Sequence, residues 1–151
     1  GFVPGVLQAL QRHGAHPGDL TLEITEGVVI EQVDAVVRKM CQLTQEGVRF
    51  SIDDFGTGYS SLAFLKLLPL DQLKIDQGFV RDVLVDANDA AIAKMVIALA
   101  DSLGLSVIAE GVETREQQAF LASQGCYAYQ GYFYGKPVEV AAFEATLPEP
   151  T

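Results

Sequence analysis

The chain has 151 residues, 49% of them hydrophobic and 20% charged, which is enough for one ordinary domain and excludes wholesale disorder. Its 10 Lys and Arg stand against 20 Asp and Glu, a formal charge of −10, the wrong balance for a binder of nucleic-acid polymers. An acidic chain that works on an anionic substrate needs a metal ion between the like charges.

In chain order, the first dozen residues, ending in His13-Gly14, read as the tail of a helix. Residues 20–25 (LTLEIT) read as a strand. Residues 31–46 place Val33, Val36, Val37, Met40 and Leu43 on one helical side, and Gly47 is a natural stop. Residues 48–53 (VRFSID) alternate as a second strand, and the glycine-rich DDFGTG segment leads into a short helix at 60–67. Gly56 and Gly58 permit tight backbone beside two acids; a plain turn capped by Ser60 or Ser61 is the alternative, but adjacent aspartates at a strand end cost stability without a use. Strands follow at 72–76, 105–109 and 126–130, with helices at 88–103, 115–124 and 140–147. Strands alternating with helices imply βαβ units and a parallel sheet. Barrels of that class usually need about 250 residues, so length and pattern do not match.

The apolar stretch at 90–109 is broken by Lys94 and Asp101 and is too polar to span a membrane. No charged-then-apolar leader precedes it. Cys41 and Cys126 are far apart, in no metal-ligand spacing, and read as reduced, mostly buried thiols. A cytoplasmic domain is expected, compatible with a membrane-anchored parent. His13 and His16 read as solvated loop residues rather than zinc ligands.

In parallel α/β sheets, function collects where strands end. The first strand carries Glu23 and is followed by Glu26. The second ends in Asp53-Asp54, the third carries Lys74 and Asp76, the fourth runs into Glu110 and Glu113, and the fifth ends at Gln130. Clustered carboxylates repel one another unless a cation neutralises them. Oxygen donors of this kind suit Mg²⁺ or Mn²⁺ rather than zinc. A lysine among them can hold a phosphate oxygen or an attacking water. The residues alone thus suggest a metal-assisted reaction at a phosphate centre. There is no GxGxxG fingerprint and no Walker-type loop.

LTLEITE, SIDDFGTGYSSL, LKIDQGFV, VIAEGVET and YQGYFYGKP, in this order, resemble the EAL domain, a family of bacterial cyclic di-GMP phosphodiesterases. The resemblance runs from about residue 2 to 147. It implies an α/β fold, an incomplete TIM-like (β/α) barrel, and metal-dependent hydrolysis of cyclic di-GMP to linear pGpG. It implies Glu23, Asp53, Asp54 and Glu110 as metal ligands and Glu26 as the anchor of the DDFG loop. Lys74, Glu110 (also a general-base candidate) and Gln130 are implied as catalytic groups around the water. Asp76 and Glu113 lie in matched motifs without a settled role.

The family's Glu-Ala-Leu tripeptide and its early-strand asparagine ligand are absent; the only asparagine is Asn88. The 151 residues therefore read as the C-terminal part of a single EAL domain. That truncation puts activity of the chain alone in doubt and predicts exposed sheet edges, instability or a homodimer. A regulatory or cyclase domain in the parent is compatible with the family. A catalytically inactive cyclic di-GMP receptor or protein-interaction module is the alternative, and an unrelated acidic TIM-like enzyme is the third.

Overall fold

The computed structural model describes residues 1–25, 33–55 and 65–148. Helix α1 (Phe2–His13) and a 3-10 turn (Pro17–Asp19) lead into β1 (Thr21–Thr25). Then come α2 (Val33–Gln45), β2 (Arg49–Phe55), β3 (Gln72–Ile75), α3 (Gln77–Arg81) and α4 (Ala87–Leu103). The chain continues through β4 (Ser106–Ala109), α5 (Arg115–Ser123), β5 (Ala128–Tyr129) and α6 (Val140–Glu144). All neighbouring strands pair in parallel, in the order β1-β2-β3-β4-β5. Sequence order and spatial order coincide, as repeated βαβ units require.

Strand alternation sorts the side chains into two faces. Leu22, Ile24, Phe50, Ile52, Leu73, Ile75 and Ala109 pack into the core cluster with Met40 and Leu43 of α2, Val96 and Ala100 of α4, and Leu121 of α5. The register sets Glu23 beside Ser51, and Ser51 beside Gln72, so the other face is polar. The apolar face thus seats the helices, and the polar face is left for chemistry. Between Ile52 and Phe55 the β2–β3 register shifts, with Ile52 opposite Leu73 and Phe55 opposite Ile75. The extra residue falls at Asp53-Asp54, so the strand bulges where its two acids lie.

Local chemistry ends the helices as expected. Asp86 caps α4 by accepting from the backbone N–H groups of Asn88 and Asp89 at 2.7 and 3.2 Å. Gly104 terminates it in the left-handed conformation. Thr114 and Gln117 form a reciprocal capping box on α5.

Several expectations need correction. The fifth strand shrinks from 126–130 to Ala128–Tyr129, because it is an edge with a hydrogen-bonded neighbour on β4 only. The closing helix spans Val140–Glu144 rather than 140–147. Helix α3 was not anticipated; Asp76 caps it by accepting from Gly78 N at 2.8 Å. Cys126 is buried as expected, but Cys41 is exposed, since Met40 and Leu43 take the inward side of α2. His13 ends α1 instead of lying in a loop, and His16 accepts from Gly18 N at 3.1 Å. Of the helix expected at 60–67, residues 60–64 lie outside the described residues, as do Gly56, Gly58, Ser60 and Ser61. Among the described residues, no helix is long and apolar enough to cross a membrane.

Candidate active site

Lys74 organises the strand-end rim. It lies on β3 at the centre of the sheet, between β2 and β4, and only 3% of its side chain is exposed. Its ammonium group reaches Glu23 Oε1 of β1 at 2.8 Å and Asp53 Oδ1 of β2 at 3.7 Å. On the other side it contacts Glu110 Oε1, just beyond β4. The same Glu110 oxygen accepts from Gln130 Nε2 at 2.9 Å. The structure therefore brings together Glu23, Asp53, Lys74, Glu110 and Gln130, one residue from each strand end. Asp54 follows Asp53 in β2, but its side chain lies outside the described residues, and so does Glu26.

Electrostatics follow from burial and contact. Burial alone would lower the Lys74 pKa, but its hydrogen bonds to Glu110 and Glu23 and the charges of Glu110 and Asp53 raise it above the ordinary value. Glu110 is also raised. Burial is the main cause, Lys74 opposes it, and the charges of Asp53 and Glu23 add to it.

The donor set can be tested against a divalent cation. Carboxylate oxygens from β1, β2 and the end of β4, on either side of Lys74 in β3, are the hard ligands that Mg²⁺ or Mn²⁺ takes. Among the described residues, however, no group of three or more acids, histidines or cysteines is disposed to hold a metal ion. The cation these acids share is the Lys74 ammonium. The donor chemistry of Glu23, Asp53 and Glu110 suits such an ion, although in this arrangement their shared partner is the lysine.

The two residues without a settled role receive one here. Asp76 is the N-cap of α3. Glu113 donates its backbone N–H to Gln117 Oε1 at 2.8 Å, and it lines a cleft with Gln77, Gln130, Tyr132, Tyr134 and Phe143. That cleft has a volume of about 1110 Å³ and opens beside the Gln130 end of the rim. Sequence reasoning also missed Gln117, a buried amide on α5. Its signal was the Thr114-x-x-Gln117 capping pattern.

The acids meet a lysine at the carboxyl ends of parallel strands, the end at which barrel-type α/β folds carry their sites. The chain belongs to the EAL domain family, whose EAL domain profile matches residues 1–137. The bifunctional diguanylate cyclase/cyclic di-GMP phosphodiesterase MucR of Pseudomonas aeruginosa is 48% identical over 147 residues, covering 97% of this chain and 22% of MucR. The cyclic di-GMP phosphodiesterase NbdA of the same organism is 45% identical over 146 residues, covering 97% of this chain and 19% of NbdA. A solved structure of the MucR phosphodiesterase in complex with c-di-GMP superposes with a TM-score of 0.90 at 46% identity, covering 95% of this chain and 58% of that one. A manganese/cy-diGMP complex of BlrP1 from Klebsiella pneumoniae gives a TM-score of 0.82 at 35% identity, covering 89% of this chain and 34% of that one. The chain spans about a fifth of the length of these two curated relatives. EAL domains are TIM-like barrels, and the five parallel strands are part of one.

Proposed function

We propose that this chain carries the acid–lysine part of a cyclic di-GMP phosphodiesterase site, which opens the ring to linear pGpG with a divalent ion. The observation that carries the reading is Lys74, nearly buried and ringed by Glu23, Asp53 and Glu110 from three other strands. The identity to MucR and NbdA supports the substrate, and the manganese complex of BlrP1 supports the metal.

Glu23, Asp53, Asp54 and Glu110 would hold Mg²⁺ or Mn²⁺, with Glu26 anchoring the loop after β2. A bound ion of this kind polarises a phosphodiester and lowers the pKa of a bound water. The chain's own residues do the rest. Lys74 neutralises the acids and offers its ammonium to a phosphate oxygen or the water. Glu110, with its raised pKa, is placed to accept the water's proton. Gln130, bonded to Glu110, orients that pair. The water's oxygen bonds to phosphorus, the opposite ester bond breaks, and the leaving sugar oxygen takes a proton. The cleft beside Gln130 carries Tyr132 and Tyr134, apolar rings suited to a purine base.

The same reading takes residues 1–151 as the C-terminal part of one EAL domain, in a regulated and homodimeric parent. It is tested by incubating the natural polypeptide that carries these residues with cyclic di-GMP and Mn²⁺ and assaying pGpG. Product supports the hydrolase. Tight binding without product supports the receptor alternative. Neither binding nor product overturns both.

A further inference from the structure

Gln117 is one of three buried polar residues among those described, with Ser51 and Lys74. A buried amide needs partners for both its ends. The Oε1 of Gln117 accepts from the backbone N–H groups of Glu113 at 2.8 Å and Thr114 at 3.1 Å. Its Nε2 donates to the carbonyl of Arg81, 36 residues away, at 3.1 Å. The capping box accounts for the Thr114 contact. It does not account for the bonds to Glu113 and Arg81.

Those two bonds join the segment that carries Lys74 to the segment that carries Glu110. Lys74 is in β3, which runs through Asp76 directly into α3, and Arg81 ends that helix. Glu113 closes the loop that Glu110 opens. At the other end of α3, Gly111 lies against Gln77: with φ at +68°, a Cβ there would fall 2.7 Å from the Gln77 Cβ. Helix α3 is therefore fastened to the 110–114 loop at both of its ends, by close packing at Gln77 and by the amide at Arg81.

We infer that Gln117 is a positioning residue, which sets Glu110 against Lys74 by tying the β4 loop to the end of α3. The inference rests on the reading above only for its kinetic test. A glutamate at 117 would serve the capping box as well as glutamine does. An ionised carboxylate cannot donate to Arg81 as the amide does, and that second demand distinguishes positioning from capping.

The test compares Gln117→Glu with Thr114→Ala in the natural polypeptide. Gln117→Glu keeps the cap acceptor and loses the donor to Arg81. Thr114→Ala loses the cap hydroxyl and keeps the amide tie. Expected for Gln117→Glu are a folded chain with a thermal midpoint lowered by the unpaired Arg81 carbonyl, about a tenfold lower kcat and a KM within about twofold, the size seen when supporting partners of catalytic groups are removed. Lowering the pH protonates the introduced carboxyl and restores a donor, so the ratio of wild-type to variant kcat should narrow. Thr114→Ala should lower the thermal midpoint and leave kcat unchanged. Independently of turnover, the backbone amide resonances of Glu110 and Lys74 should shift in Gln117→Glu and hold in Thr114→Ala. Unchanged resonances in a folded Gln117→Glu overturn the inference, as does loss of kcat only in step with loss of fold. If the wild type makes no pGpG, the proposed reaction fails, and the resonance comparison still decides the role of Gln117.

Discussion

On the β4–β5 side of the rim, Glu110 is 15% exposed and bonded to both Lys74 and Gln130. On the β1 side, Glu23 is 51% exposed and pairs with Lys74 from an edge strand. The backbone differs in the same sense. Val112, fully buried, donates its N–H to Gln130 O at 3.1 Å and accepts from Phe133 N at 3.0 Å, locking the β4 loop to the β5 loop. Asp53, at 23% exposed, lies between the two sides in both position and burial. One flank is thus preorganised and the other free to adjust. Groups that position a water and its proton gain most from rigidity, whereas metal-binding carboxylates tolerate some rearrangement.

The strongest way to break this contrast is to unlock the rigid flank. Gly131 has φ at +152°, and a Cβ there would fall 2.2 Å from Val112 O and 2.4 Å from Val112 N. Both atoms are backbone and cannot rotate aside. Gly131→Ala should cost about 3 kcal/mol in denaturant unfolding, while Gly104→Ala, with nothing within 4 Å of its Cβ, keeps only the φ penalty. Equal costs for the two would remove the claim that the rigid flank is fastened at Val112.

Lys74→Met removes the cation both flanks share. It should lower kcat by at least about a hundredfold and destabilise the fold, because three acids then face one another. Added Mn²⁺ should restore part of that stability, read as a rise in the thermal midpoint. No rise would mean that the acids do not converge on a cation.

A smaller effect separates the flanks by pH. The folded-state pKa of Glu110 lies above 4.5, chiefly through burial, so the folded chain binds that proton more tightly than the unfolded chain. Wild type should therefore gain stability relative to Glu110→Gln as pH falls through the raised folded value toward 4.5, measured by urea titration across pH. A gap that widens in the opposite direction contradicts the burial argument. On the loose flank, Glu23→Gln should change stability by less than about 0.5 kcal/mol, and its effect should appear in Mn²⁺ affinity instead.

The elements that sequence made visible are those where periodicity and burial agree. Ile24, Ile52, Leu73 and Ile75 alternate with the site residues, so strand positions and the acidic rim were both readable. Helix α3 was missed because five residues carry too few turns to show a helical period, and only the Asp76–Gly78 cap marks it. Gln117 was missed because its partners are backbone atoms, one of them 36 residues away, and main-chain acceptors leave no trace in residue identity. Strand β5 was overextended because CYAYQ has strand chemistry, while its pairing depends on a single neighbour.

The most direct measurement is metal-dependent turnover of cyclic di-GMP by the natural polypeptide and by Asp53→Ala, with pGpG quantified in Mn²⁺ and in excess chelator. The account predicts pGpG from wild type in Mn²⁺ alone, and at least about a hundredfold less from Asp53→Ala. Turnover that survives the chelator, or that survives loss of Asp53, would contradict it.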